Sequence, residues 1–349
     1  MLPSLNEVLF FVVFLSFILA MLALDLGVFS RRTHKPSFRE ALIWTLVWVL
    51  ISIGFYFLLR YYGNLLHGID SLEAVRDRIS RFHPSISLNR LPEDTARAII
   101  LYNHNLALEY LTGYLIEYSL SVDNVFVIIM IFLSFRVRPE YYKKVLLWGI
   151  LGAVVMRFLF IFAASALILH FSWSLIFFGG MLIILGGKMG WEFFTANDED
   201  VIDTENHPVV KFASRWFSVS PGNHGEKFFI RQKGKRMITP LFLVLLIIEF
   251  TDVLFAIDSV PAVFSVTHDP YIVFFSNIFA ILGLRSLFFV LVNVLNRFTY
   301  LRLGLAVLLV FVGSKMILHK IGLWSLPTNY SLLIILGILL SSVIFSLMR

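Results

Sequence analysis

Long apolar runs broken by short polar connections dominate the chain. About 20 mostly apolar residues, each rising 1.5 Å along a helix, cross the hydrocarbon core of a bilayer. Nine such runs predict nine spans, at 8–29, 41–60, 109–134, 145–169, 173–194, 239–264, 272–296, 301–319 and 329–348. Two connections are long: 61–108, which is polar and partly amphipathic, and 195–238. The expected fold class is all-α and polytopic.

Charge orients these spans. Arg31, Arg32, Lys35 and Arg39 follow the first span, and Arg136, Arg138, Lys143 and Lys144 follow the third. Lys211, Arg215, Lys227, Arg231, Lys233, Lys235 and Arg236 follow the fifth, and Arg297 and Arg302 the seventh. The fourth and sixth connections carry no Lys or Arg, and the eighth only Lys320. Basic residues collect on the cytoplasmic side, so the expectation is an outside N-terminus, a cytoplasmic C-terminus, an external 61–108 segment and a cytoplasmic 195–238 loop. The first span has no basic residue before it and is too long for a signal-peptide core, which predicts a retained span.

Composition agrees with this class. Apolar residues make up 58% and charged residues 15% of 349, against about 25% charged in a soluble domain. The net charge of +6 sits between apolar segments, which argues against nucleic acid as partner. Cysteine is absent, so disulfides, thiolate metal sites and thiol redox chemistry are excluded. The acidic stretch Asn197 to Asp200 suits a solvated turn better than a cation trap, and His207 and His224 are too scattered to form a site.

An internal repeat then emerges. The third span holds Glu117, Asp123, Asn124 and Val125; the sixth holds Asp252, Asp258, Ser259 and Val260, with the same acid, five residues, Asp, small polar, Val order. Arg157-Phe-Leu-Phe in the fourth span answers Arg285-Ser-Leu-Phe in the seventh. Gly187-Lys188-Met189 in the fifth answers Ser314-Lys315-Met316 in the eighth, with Arg-to-Lys separations of 31 and 30 residues. Spans 3–5 and 6–8 therefore read as a 3+3 repeat. Three spans per unit invert the second copy, an arrangement that places a transport site near the bilayer midplane. The expected division is two N-terminal helices plus insertion at 1–108, a first unit at 109–194, a loop at 195–238, an inverted second unit at 239–319 and a last helix at 320–349.

Ionisable groups at a span centre cost roughly 2.5–3.5 kcal/mol each, on the order of 20 kcal/mol for the seven deepest. Those are Glu117, Asp123, Arg157, Glu249, Asp252, Asp258 and Arg285. Ion pairing that merely locks helices is the plain alternative, evenly matched for the two arginines. Lys188 and Lys315, nearer helix ends, are expected to snorkel or pair. Five carboxylates against two arginines leave a negative surplus that a cation would neutralise. Carboxylate, amide and hydroxyl oxygens suit Mg²⁺, Ca²⁺ and Mn²⁺, whereas zinc and copper favour His and Cys. The candidate metal ligands are Glu117, Asp123, Asn124, Glu249, Asp252 and Asp258. Accessory positions are Ser121, Thr251, Ser259, the two arginines and Asp25, the last a gate residue or a partner of Arg31 or Arg32. Positions 117 and 123 lie about 600° apart around a regular helix, so their side chains would diverge by about 120°. Pro261 is expected to break the sixth span and free backbone carbonyls as further ligands.

Ile116-Glu117 through Asp123-Asn124-Val125, and Ile248-Glu249 through Asp252, Asp258-Ser259 and Pro261, resemble the motifs of the TerC family, its Alx branch most closely. Leu24-Asp25, Phe279 to Arg285 and Gly313 to Met316 join the match, although 61–108 is longer than the family usually has. The resemblance implies a bacterial inner-membrane protein of the LysE-like transporter superfamily, linked to manganese export and to tellurium resistance. The leading expectation is a non-enzymatic exporter of Mn²⁺, proton-coupled through its intramembrane carboxylates, with the lipid bilayer as its other partner and no organic cofactor. The runner-up is a non-transporting redox modulator or scaffold that supports metalation of exported proteins. An intramembrane enzyme finds no support, because no Ser/His dyad or HExxH spacing occurs.

Overall fold

A computed structural model of the chain describes residues 5–30, 37–83, 86–88, 91–170, 173–195, 219–220, 225–232, 235–292, 300–323, 326 and 328–348. Among them are ten α-helices: α1 Leu5–Ser30, α2 Phe38–His67, α3 Leu72–Phe82, α4 Thr95–Ser134, α5 Tyr142–His170, α6 Ser174–Thr195, α7 Pro240–Phe264, α8 Pro270–Val292, α9 Leu301–Lys320 and α10 Thr328–Met348. A hairpin of β1 Phe229–Gln232 and β2 Lys235–Ile238 precedes α7. Eight helices, all but α3 and α10, are long and apolar enough to cross a membrane, and α10 is apolar over Tyr330–Ser346. The described helices coincide with the nine expected spans to within a few residues, with two exceptions.

The exceptions are α2 and α4, which both extend into the 61–108 segment. Helix α4 starts 14 residues before the predicted 109. Polar residues such as Asn103, His104 and Asn105 hide the periodicity there, yet Ala98, Tyr102, Leu106 and Tyr110 recur every four residues and are fully buried. Asn103 closes against α2, its Nδ2 donating to Asn64 Oδ1 at 3.2 Å. The insertion is thereby reduced to α3 and its two connections. Helix α3 is capped by Ser71, whose hydroxyl accepts from the amide of Ala74, and buries Val75, Ile79 and Phe82 along one stripe.

Helix α8 is the axis of the bundle. From Ile272 to Phe289 every side chain is buried, as expected of a helix apolar on all faces. Helix α1 docks on it through aromatic rings: Phe14 and Phe275 have centroids 4.4 Å apart, and Phe55 of α2 joins them. The outer faces are apolar too. Leu50, Ile184 and Leu333 are 64%, 72% and 63% exposed, a surface suited to lipid rather than water.

Packing among the six helices of the suggested units is reciprocal. Each helix meets its counterpart, as α4 meets α7, α5 meets α8 and α6 meets α9; crosswise, α4 meets α8 and α5 meets α7. The α6–α9 seam is the closest. A Cβ on Gly186 would lie 2.7 Å from the Ala306 carbonyl oxygen, and one on Gly179 would lie 2.9 Å from that of Gly313. Small residues let helix backbones touch where no hydrophobic effect drives them together.

Pro261 does not break its helix. Helix α7 runs unbroken through it to Phe264. The proline lies one turn from the C-terminus, where the lost bond frees only the Ile257 carbonyl and the helix ends regardless. Lys188 and Lys315 differ despite their matching places in the repeat. Lys188 is exposed, 3.7 Å from Glu192, whereas Lys315 is buried, so it does not snorkel. Residues 197–200, His207 and His224 lie outside the described residues, as do the side chains of Asp25, Asp123 and Asp258.

Candidate cation site at the centre of the bundle

Arg157, on α5 and 1% exposed, gathers groups from three other helices. Its Nη1 donates to Glu117 Oε1 of α4, to Asn277 Oδ1 of α8 at 2.6 Å and to Ser259 Oγ of α7 at 3.0 Å. Its Nη2 and Nε donate to the two carboxylate oxygens of Asp252, on α7, at 3.2 and 3.5 Å. Asn277 Nδ2 in turn donates to Glu117 Oε2 at 2.9 Å. A guanidinium with five fixed donors suits this work, because it engages two carboxylates at once and cannot lose its charge.

Glu249 lies one turn before Asp252 on the same face of α7. Its carboxylate lies in the space where a Cβ on Gly152 of α5 would be, so glycine there lets the carboxylate take that position. Glu117, Glu249 and Asp252 against Arg157, three negative charges and one positive, leave a formal charge of two negative.

Next to this cluster, α4 carries two buried polar atoms, Ser121 Oγ and Asn124 Nδ2, with no hydrogen-bond partner among the described residues. Buried polar groups are nearly always partnered. Asn124 and Asp252 line a cavity of about 30 Å³ walled by Gly149, Ala153, Ile248 and Ile281, room for about one water molecule. Thr251 binds back to the Ile247 carbonyl at 2.7 Å, and Ser259 is held by Arg157.

The structure thus brings together Glu117, Asp252, Ser259 and Arg157, with Glu249 and Asn124 beside them. Arg285 is buried eight residues along α8 from Asn277. Helix α4 is unbroken through 117–124, which keeps positions 117 and 123 about 600° apart around its axis. Among the described residues no group of three or more His, Asp or Glu forms a metal-ligand set. Asn277 was not foreseen from the sequence. A single amide in an otherwise apolar run was the available signal.

The family model for the integral membrane protein TerC family matches residues 102–349, which include every helix of this cluster. The chain belongs to the TerC family. Relatives of this TerC-family chain include "Uncharacterized membrane protein STKORF319" of Myxococcus xanthus, 40% identical over 96% of the chain and 91% of the relative. Two others carry the name "Putative membrane-bound redox modulator Alx". The one from Escherichia coli strain K12 is 39% identical over 93% of the chain and 90% of the relative. The one from Photorhabdus laumondii is 37% identical over the same shares, 93% and 90%. No solved structure matches. The protein is a multi-pass integral membrane protein with bacterial relatives.

Proposed function

We propose that this TerC-family protein exports a divalent metal cation, Mn²⁺ first among them, from the cytoplasm across the inner membrane, with its N-terminus outside and C-terminus inside. The observation that carries the proposal is the convergence of Glu117 and Asp252, from different three-helix units, on one buried guanidinium. The reciprocal helix pairing supports an inverted repeat with the site on its pseudo-two-fold axis.

The charge arithmetic follows from the cluster. Two uncompensated negative charges inside the bilayer are costly. One divalent cation or two protons cancel them, which couples metal movement to protons. Asp252 and Asn124 offer the cation hard oxygens across the cavity, the amide turning to present Oδ1. Glu249 supplies a further carboxylate one turn before Asp252, and Asp123 and Asp258 join the proposed ligands on their place in the sequence motifs. Arg157 keeps Glu117 paired and takes Asp252 back when the cation leaves. Oxygen ligands without thiolate or imidazole favour Mn²⁺ and Mg²⁺ over Zn²⁺.

The test is Mn²⁺ flux into inverted membrane vesicles or proteoliposomes carrying the protein, with a proton gradient imposed, for the parent and for Asp252→Asn. The proposal expects gradient-driven Mn²⁺ uptake that the variant lacks at equal abundance. Parent vesicles that accumulate no Mn²⁺ above empty ones would refute it.

The name carried by the Alx relatives favours a second reading, a membrane redox modulator. The chain has no cysteine, so such a role would act through metal supply or a partner's thiols. A deletion strain whose exported-protein redox state is restored by Asp252→Asn would favour this reading over transport.

A further inference from the structure

A second charge centre lies at the other end of the bundle from the β-hairpin, under α3. His67, at the end of α2, is flanked by carboxylates on both ring nitrogens: Nδ1 is 2.8 Å from Glu7 Oε1 of α1, and Nε2 is 2.8 Å from Asp269 Oδ2. Arg78 of α3 also reaches Glu7 and His67. His83, at the C-cap of α3, places Nδ1 2.7 Å from Glu109 Oε2 on α4, and Asn105 Nδ2 holds the other oxygen at 2.7 Å. With Nδ1 committed to Glu109, His83 Nε2 is the nitrogen that gains or loses the proton, and it has no hydrogen-bond partner among the described residues.

The remaining groups facing this centre come from every neighbouring element. They are Tyr102 of α4, edge-on to His83 at 5.3 Å, His268 of the α7–α8 link, Tyr271 of α8, 5.8 Å from His67, and Lys315, His319 and Lys320 of α9. The link itself is tied to α3, since the His268 amide donates to the Phe82 carbonyl at 2.9 Å. Burial, then His319, His83 and Lys320, push His268 down to about 4, so it stays neutral.

We propose that this network is a proton-operated latch, in which α3 closes over its end of the bundle while His83 holds its proton against Glu109 and lifts when it loses it, opening the route to the intramembrane acid cluster. The gating part rests on the transport reading above. Loss of the His83 proton removes its attraction to Glu109 from the C-terminal end of a short helix whose other ties are Val75, Ile79 and Phe82, the Arg78–Glu7 pair and the Phe82–His268 hydrogen bond. Burial opposes a charge on His83, but Glu109 outweighs it and raises His83 above the usual 6.5. The sign follows. The His83–Glu109 attraction is fully present below pH 6.5 and disappears as pH rises through the raised value, so alkaline conditions open the latch.

The cysteine-free chain makes the test direct. Val75→Cys puts a single thiol on the buried face of α3, and Glu73→Cys puts one on its exposed face as the reference for thiolate reactivity. Maleimide labelling in membranes, taken as the ratio of the two rates, is expected to rise with pH by up to about tenfold per unit for each proton released. Glu109→Gln keeps a hydrogen-bond partner for His83 but removes the charge, and should move the rise to lower pH. His83→Gln should label the buried site readily even at pH 5.5. A ratio that stays flat from pH 5.5 to 9, or an unmoved profile in Glu109→Gln, overturns the latch. Labelling needs no transport, so a pH-dependent ratio in a protein that moves no Mn²⁺ sinks the transport reading and leaves the latch standing.

Discussion

Replacing Arg157 by Gln tests the central cluster most severely. The guanidinium is 1% exposed and is the cation shared by Glu117, 0% exposed, and Asp252. Glutamine is shorter, offers two donors in place of five and carries no charge. Glu117 would keep only the amide of Asn277, and Asp252 would keep no counter-charge among the described contacts. Removing one partner of a buried pair costs about 3–5 kcal/mol. For a protein of this size that is a fall in melting temperature on the order of 10 °C, readable by fluorescence-detected size exclusion of the heated, detergent-solubilised protein. Most of the cost is the stranded charge rather than the value of the pair. The double variant Arg157→Gln, Glu117→Gln should therefore recover roughly 0.5–3 kcal/mol of it. A single variant that melts with the parent, or a double variant no better than the single, would refute the reasoning.

Three other outcomes are expected, two from the geometry and one from the sequence motifs. Gly152→Ala places a methyl group where the Glu249 carboxylate lies, so that carboxylate must swing aside; most Mn²⁺ flux should be lost at unchanged membrane abundance, and normal flux would contradict a role for that position of Glu249. Gly186→Val drives a branched side chain into the Ala306 carbonyl and should cut membrane abundance, measured by quantitative immunoblot, whereas the same change at Gly187, which meets nothing within 4 Å, should not. Asp258→Asn and Asp123→Asn should insert at normal abundance, since a neutral amide is cheaper in the bilayer than a carboxylate, yet fail to lower intracellular Mn²⁺ measured by mass spectrometry; unchanged export in both would make those carboxylates structural.

The spans were legible because a bilayer demands one property over a fixed length, and Leu5–Ser30 or Pro270–Val292 display it in sequence. The start of α4 was not, because Tyr102 and Leu106 bury one face while the polar Asn103 and His104 between them interrupt the apolar run. The acids and Arg157 could be named from their cost in a membrane. Which acids Arg157 would choose could not, since Glu117 and Asp252 lie 40 and 95 residues away. The His67 and His83 network was missed for the same reason: its partners are 60 and 26 residues distant, and only folding brings them together. Gly152 gave no signal at all, because nothing in a sequence marks the glycine that a carboxylate will lie against.

The glycine seam between α6 and α9 bears on how such a molecule can change shape. Backbones in van der Waals contact, with Gly179 against Gly313 and Gly186 against Ala306, interlock like cogs. Sliding one helix past the other by a single residue, about 1.5 Å, would carry neighbouring side chains into space that admits none. The two helices must then travel as a single stiff strut. Any sliding among the central helices falls to α4, α5, α7 and α8, whose facing surfaces carry the charged cluster. A cross-link across the strut should consequently leave turnover intact, while one between α5 and α7 should stop it.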